Sequence, residues 1–443
     1  MNPRTILFIH QSFPCQFDAP ARSLALDGHK VAALSMTPQD ALPGVTQYRY
    51  MPLRGQDNEK TPYLLRDMDA KLIRAESAYK AMKLLKGKGL NPDVVYAHPG
   101  WGEALYVKNV WPDARYVVYA EWFYNAHGQE VNFDPAFPPL SEEDELRLTL
   151  KNTPFLHALS ECDAAVTPTQ WQKSRFPAWA QEKMHVIHEG LHLEELAAVR
   201  PRALGIPSQG VKLRKGMPIV TFCARHLEPV RGFHYFMRAL PAILNGNPEA
   251  HVIVMGQDAG IRNIGYGKAN PQGVSWRKSL ERELGDKVDW KRVHFLGMLD
   301  RKLYLAMLKL SACHVYLTTP FILSWSFLEA AALGLPIVAS DTPPVQEFRH
   351  LKGLDLMPFG DVDALARRVL HHLAHQPEGF FDDNIQSIRA LGTDATLPAL
   401  KQVLLEGSPA TDAGGGALEN LVLLEEEGED LPPRGATNNA AGR

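Results

Sequence analysis

The sequence predicts an α/β protein made of two doubly wound halves facing each other across a cleft, and three observations lead there. Short, continuous apolar runs alternate with helical patterns along nearly the whole chain, as expected of parallel strands buried on both faces. The pattern stops once, between Pro201 and Pro218, where Pro207, Gly205, Gly210 and Gly216 interrupt it, and then resumes. A chain of 443 residues, 45% hydrophobic and 22% charged, is long enough for two cores of ordinary globular composition.

In the first half, strands are expected at Ile6–Ile9, Val31–Leu34, Val94–Tyr96, Tyr116–Tyr119, Ala164–Thr167 and Met184–Ile187, with helices over Lys71–Lys86 and Glu142–Leu159. In the second, strands are expected at Ile219–Cys223, His251–Met255, Val293–Phe295, His314–Thr318 and Ile337–Ala339. Helices there fall near Gly232–Leu244, Arg301–Leu310, Leu328–Leu333 and Val362–Leu373. Residues 261–282 read as a long loop leading into a helix. The interruption at 201–218 reads as a linker, so the domains run 1–205 and 206–384. A final helix over 385–405 packs across both, and the Gly-, Ala-, Pro- and acid-rich segment 406–443 is expected to be a disordered tail.

The net charge of −3 gives no reason to expect nucleic acid as a partner. Cys15, Cys162, Cys223 and Cys313 are scattered without metal-ligand spacing, as expected of buried thiols in a reducing compartment. The apolar run Thr5–Ile9 is too short for a signal peptide or a membrane span. The protein is therefore expected in the cytoplasm, with peripheral association at the inner membrane surface left open.

Ligands of doubly wound sheets sit beyond the carboxyl ends of the strands. The most informative stretch there is Pro320–Asp341: a loop, a helix bearing Glu329, a stop at Gly334 and Pro336, and a buried strand. A helix start collects free N–H groups and a positive dipole end, which suits an anion, and a carboxylate close behind suits ribose hydroxyls. The amides from Ser324 through Trp325, Ser326, Phe327 and Leu328 are the candidate phosphate cradle. Arg225 and Arg231 flank a Pro-containing turn and can converge on a diphosphate. Gly256 and Gly297 end strands where a ligand can approach the backbone, and Met298 can lie against a base. In the first half, His98 and Trp101, then Glu121 and His127, follow strands and mix rings with ionisable groups, as a carbohydrate site needs. Asp67-Met68-Asp69 and Asp361-Val362-Asp363 have the spacing of a divalent-ion pair, but Asp361 reads as a helix cap and no metal is expected.

These residues, in this order, resemble glycosyltransferase family 4, retaining enzymes of the GT-B fold, over roughly residues 3–400. The most specific stretches are Val186–His192, Arg225 with Arg231-Gly232, Val293–Gly297, and Leu328–Ala330 through Gly334–Ser340. The resemblance implies two Rossmann-like domains, an acceptor-side first half and a second half that binds a nucleoside diphosphate sugar. It implies Arg225, Arg231 and Glu121 at the reacting centre, Glu329 on the ribose, and a carbohydrate, lipid-linked, peptide or small-molecule acceptor. No cofactor beyond the co-substrate is implied. The sequence departs from the family twice. Arg231 stands where lysine is usual, and Phe321 stands where the first glutamate of an E-x7-E motif belongs. A residue that is often histidine in the family falls at about Glu121. Two rivals follow: a catalytically degenerate nucleotide-sugar-binding subunit, and a nucleotide-sugar epimerase of related fold.

Overall fold

Two parallel sheets organise the chain. The computed structural model describes residues 2–37, 41–258, 269–375 and 380–406. The first sheet contains β1 (Thr5–Ile9), β2 (Lys30–Ser35), β3 (Val45–Arg49), β4 (Val94–Ala97), β5 (Arg115–Tyr119), β6 (Ala164–Thr167) and β7 (Met184–Val186), in the order β3-β2-β1-β4-β5-β6-β7. An antiparallel hairpin follows, β8 (Ala203–Ile206) and β9 (Val211–Arg214). The second sheet contains β10 (Ile219–His226), β11 (His251–Gln257), β12 (Val293–Gly297), β13 (Cys313–Tyr316), β14 (Ile337–Ser340) and β15 (Leu354–Met357), in the order β12-β11-β10-β13-β14-β15. The winding reverses at β1/β4 and at β10/β13, and a crevice opens beyond the strand ends at each reversal.

The apolar runs explain the sheets. Ile6, Leu7, Phe8 and Ile9 are all buried, alternate residues feeding cores on opposite faces, and in the second half Val220, Phe222, Val252 and Val254 feed one core while Ile219, Ile253 and Met255 feed the other. β3 and β15 were not anticipated. Both are edge strands, half-exposed and mixed in polarity, so neither reads as an apolar run. The expected helix over 142–159 is two, Glu142–Lys151 and Thr153–Glu161. Asn152 breaks it, and its side-chain amide exchanges two 2.9 Å hydrogen bonds with the Tyr124 backbone.

The interruption at 201–218 is not a bare linker. Ile206 and Leu213 of the hairpin are buried in the second half's core with Ile219, and the 205/206 division runs through β8. The chain crosses between halves near Leu191 and again near Gly392, and the two crossings pair. Leu191 N–H donates to Leu391 O (2.8 Å), and Thr393 N–H to Leu191 O (3.0 Å). The expected final helix is likewise two pieces, Phe381–Ser387 and Thr393–Leu405. The second packs on the first half, with Leu400, Val403 and Leu404 joining Ile6 and Phe8, and Arg115 donating twice to Val403 O.

A loop after β5 reaches across the cleft. Phe133 packs on Phe359 (5.6 Å between ring centroids) and Phe137 on Trp276 (5.7 Å), while Tyr235 donates to Asp134 (2.7 Å). Among the described residues no helix is long and apolar enough to cross a membrane. The tail expected beyond Glu406 and residues 261–268 of the expected loop lie outside the described residues; that loop's helix runs Trp276–Leu284.

Gly256, next to last in β11, has φ +146°, and a Cβ there would sit 2.0 Å from the Ala224 carbonyl oxygen. Backbone cannot yield as a flexible side chain can, so Gly256→Ala should destabilise the protein by roughly 2 kcal/mol or more in denaturant unfolding. An unchanged midpoint would show that β10 and β11 can separate there.

Candidate active site

The carboxyl edge of the second sheet carries the basic pair. Arg225 is the next-to-last residue of β10, is exposed, and makes no hydrogen bond or ion pair among the described residues. It stands close enough to Cys15 of the first half to oppose the upward push that burial gives that thiol. Arg231 closes a 3-10 turn, Pro229–Arg231. Its Nη1 donates to Thr318 Oγ1 (2.9 Å) and Tyr316 Oη (3.3 Å), and its guanidinium lies 5.2 Å from the Phe321 ring centroid. It has no carboxylate partner within salt-bridge distance among the described residues.

The helix predicted to hold an anion runs Trp325–Ala332, with Ser324 as its N-cap residue. Ser324 N–H donates to the same Tyr316 oxygen (2.8 Å), so one phenol ties Arg231 to the helix start. Burial pushes the Tyr316 hydroxyl up, keeping it neutral. The amide set is narrower than expected. Ser324 N–H is spent on Tyr316, and Phe327 N–H on the Ser324 carbonyl (3.1 Å). The amides of Trp325 and Ser326 stay uncommitted among the described residues, while the side chains of Phe327 and Leu328 are buried in the second half's core. Ser324 Oγ and Ser326 Oγ lie 3.2 Å apart.

Glu329 is buried but lines a cleft of about 310 Å³ between the halves, with Trp325 and Arg301 on one side and Cys15, Gln16 and Asp18 on the other. Arg301 Nη1 donates to its Oε1 (2.8 Å) and Tyr304 Oη to its Oε2 (2.7 Å). Of the strand-end glycines, Gly256 is demanded by the Ala224 carbonyl, so packing explains it without a ligand. Gly297 sits in a left-handed turn with open space around it, and Met298 beside it is exposed.

In the first half, β4 and β5 bring His98 and Glu121 together. His98 Nδ1 accepts from Gly100 N–H (3.1 Å), which leaves Nε2 to donate to Glu121 Oε2 (3.1 Å). Gln16 donates to Glu121 Oε1 (2.7 Å). Burial pushes the Glu121 carboxyl up, but His98, Gln16 and the nearby His10 outweigh it and hold it below the usual carboxylate range. Trp101 stacks on His98 at 4.1 Å. His127 does not join them. It is exposed on the loop after β5, 3.9 Å from Glu145, so six residues of separation carried it away from Glu121. In the two DxD strings, Asp67 pairs with Arg147 (2.7 Å), Asp69 with Arg54, and Asp361 caps its helix at Ala364 N–H (2.8 Å).

Sequence reasoning passed over several groups. His10 lies buried just past β1, its Nε2 without a hydrogen-bond partner among the described residues, and a polar residue straight after an apolar strand was the available signal. Tyr119 donates to Glu189, another cleft residue. Glu130 accepts from Trp122 Nε1 (3.4 Å), and burial pushes its carboxyl up to about 7. Phe321 is buried with Val230 against Trp122 and Trp171 of the first half, 4.9 Å from the Trp122 ring.

Two Rossmann-like sheets with a cleft between them define the GT-B fold. Residues 27–196 match the description "Glycosyl transferase family 4 group" and residues 217–375 match "Glycosyl transferases group 1". The chain belongs to this family 4 and group 1 type. No curated protein matches it in sequence. Among solved structures it is similar to the sucrose-phosphate synthase of Thermosynechococcus elongatus (17% identity, 90% of this chain and 98% of that one, TM-score 0.64). It is also similar to WaaG, a glycosyltransferase involved in lipopolysaccharide biosynthesis (14%, 91% and 100%, TM-score 0.62). A third is an α,α-trehalose-phosphate synthase (UDP-forming) from Burkholderia vietnamiensis (15%, 91% and 98%, TM-score 0.61). At these identities the likeness establishes the fold.

Burial above all, with a smaller contribution from the neighbouring His98 ring, holds His10 down to about 3 from the ordinary 6.5. Between those values the unfolded chain takes up a proton that the folded one refuses, so stability falls as pH drops through that window. His10→Gln should remove about one proton's share of this slope, at most ~1.4 kcal/mol per pH unit. Parallel stability–pH curves for the two proteins would contradict the buried neutral ring.

Proposed function

We propose that the protein transfers a sugar, a hexose or close relative, from a nucleoside diphosphate sugar to an acceptor hydroxyl with retention of anomeric configuration. The pathway proposed is polysaccharide or glycoconjugate synthesis. The carrying observation is the convergence of Arg231 and the Ser324 amide on Tyr316, beside two amides uncommitted among the described residues. Negative charge builds on the diphosphate as the glycosidic bond breaks. Fixed donors in a closed cleft stabilise that charge without reorganising. A UDP-forming structural neighbour supports a nucleoside diphosphate as leaving group.

Glu329 takes the ribose hydroxyls and the Trp325 and Ser326 amides take phosphate oxygens. The His98–Glu121 pair faces the acceptor side, where the ionised carboxylate orients a hydroxyl or supports positive charge at the reacting carbon. Arg225 and Arg231 do what a divalent ion does elsewhere, so no metal is required. The protein works in the cytoplasm, against the inner membrane surface when its acceptor is lipid-linked.

A second reading rests on Phe321, whose aromatic packing occupies the position of the missing glutamate. A binding-only subunit would hold the nucleotide sugar yet neither transfer nor slowly hydrolyse it. An epimerase would convert the donor with no acceptor present, so a donor-only incubation followed by NMR of the sugar separates all three.

Arg225→Ala combined with Arg231→Ala should lower turnover on the order of 100-fold or more. An unaltered rate would remove the pair from the mechanism. Incubation with EDTA should leave transfer intact, whereas loss restored by a divalent ion would return the role to a metal.

A further inference from the structure

Glu329 is nearly closed off from solvent, and two second-half side chains set its orientation. Tyr304 donates from one side (2.7 Å) and Arg301 from the other (2.8 Å), one to each carboxylate oxygen. Arg301 is fixed in turn. Its Nε and Nη2 both engage Glu195 Oε2 (2.8 and 2.7 Å), on the short helix Leu193–Ala198. That helix lies just past the first crossing between the halves, and its Leu196 is buried in the second half's core. Three of the guanidinium's donors are thereby committed, and its plane is set by two carboxylates.

A carboxylate offers about four acceptor positions, two on each oxygen. Arg301 and Tyr304 take one each, which leaves one on each oxygen where Glu329 meets the cleft. Two acceptors on a fixed carboxylate suit a vicinal diol. Without the clamp the carboxylate could rotate and present no defined pair.

We infer that Arg301 and Tyr304 are positioning residues that hold Glu329 in the one orientation able to bind both ribose hydroxyls, making the site selective for ribonucleotides over nucleotides lacking the diol. The inference rests on the ribose role proposed for Glu329. It adds the residues that create the selectivity and sets Arg301 as the link from the nucleotide to Glu195 beside the crossing.

The test is calorimetric, with uridine, guanosine and adenosine diphosphates and their 2′,3′-dideoxy counterparts, on the full chain and on Tyr304→Phe, Arg301→Gln and Arg301→Lys. The unaltered protein should prefer its ribonucleotide by about 10-fold or more, the worth of hydrogen bonds to an ionised group. Tyr304→Phe and Arg301→Gln should collapse that preference toward unity by weakening only the ribose form, with dideoxy affinity held within about twofold. Arg301→Lys, which keeps the charge and loses the fork, should fall between. Equal weakening of both nucleotide forms would mean a merely structural role and overturn the inference, as would a full ribose preference in Tyr304→Phe. Should the unaltered protein bind a diphosphate with no ribose preference, the positioning idea fails while the diphosphate site stands. Should it bind none of them, the transferase reading falls and this inference with it.

Discussion

The site turns on positive charge that the fold leaves without a carboxylate. Arg231 is partly buried, lies over Phe321 and, among the described residues, gives its side-chain hydrogen bonds only to neutral oxygens on Thr318 and Tyr316. A half-desolvated guanidinium in that setting is a standing cost unless an anion arrives. Had an acid stood within reach, the pair would satisfy itself and the phosphate would have to displace it. The contrast with Arg301, held by two carboxylates, is instructive. The fold spends one arginine on organising a carboxylate and keeps two others available.

Charge of this kind acts best where water is excluded, and three first-half features bring the halves together around it. Trp122 and Trp171 close on Phe321 and Val230. Phe133, Asp134 and Phe137 reach onto the second half, with Asp134 bonded to Tyr235 two residues into the helix that begins just past Arg231-Gly232. Glu347 of the second half accepts from the Gln170 and Trp171 amides at 3.0 and 2.8 Å. Closure is thus coupled to the elements that carry the donors proposed for the diphosphate, and separating the halves would expose large aromatic faces.

Much of this could be read from the chain because buried parallel strands announce themselves as apolar runs. The eleven strands expected at the sequence level are all among the strands observed, as Ile6–Ile9 and Val94–Tyr96 illustrate. What escaped was held by neighbours rather than by local pattern. β3 and β15 are edges, and the hairpin β8–β9 looks like a linker because Pro207 and Gly210 make its turn. The site divides the same way. Arg231, Glu329 and the helix start were visible as strand-end residues. Tyr316 was not, since a tyrosine in a buried strand looks like core until Arg231 and Ser324 are seen to share its oxygen. His127 failed for the converse reason: closeness in sequence to Glu121 does not survive a loop that leaves the sheet.

Phe321 shows how one departure from a family pattern can reorganise a site without dissolving it. A glutamate there would place a carboxylate beside Arg231, among Trp122, Trp171 and Val230, and would draw on the charge that Arg231 now keeps free. Phenylalanine instead gives Arg231 a π-face, a weaker partner than a carboxylate and one that an incoming phosphate need not displace. The same ring supplies part of the second half's share of the aromatic contact between domains, with Phe359 and Trp276. Loss of the carboxylate therefore shifts the local balance toward anion binding and closure. In the proposed reaction, recognition of the transferred sugar must come from groups still facing the cleft, among which the acids are Asp18, Glu329 and Glu189, the last held by Tyr119.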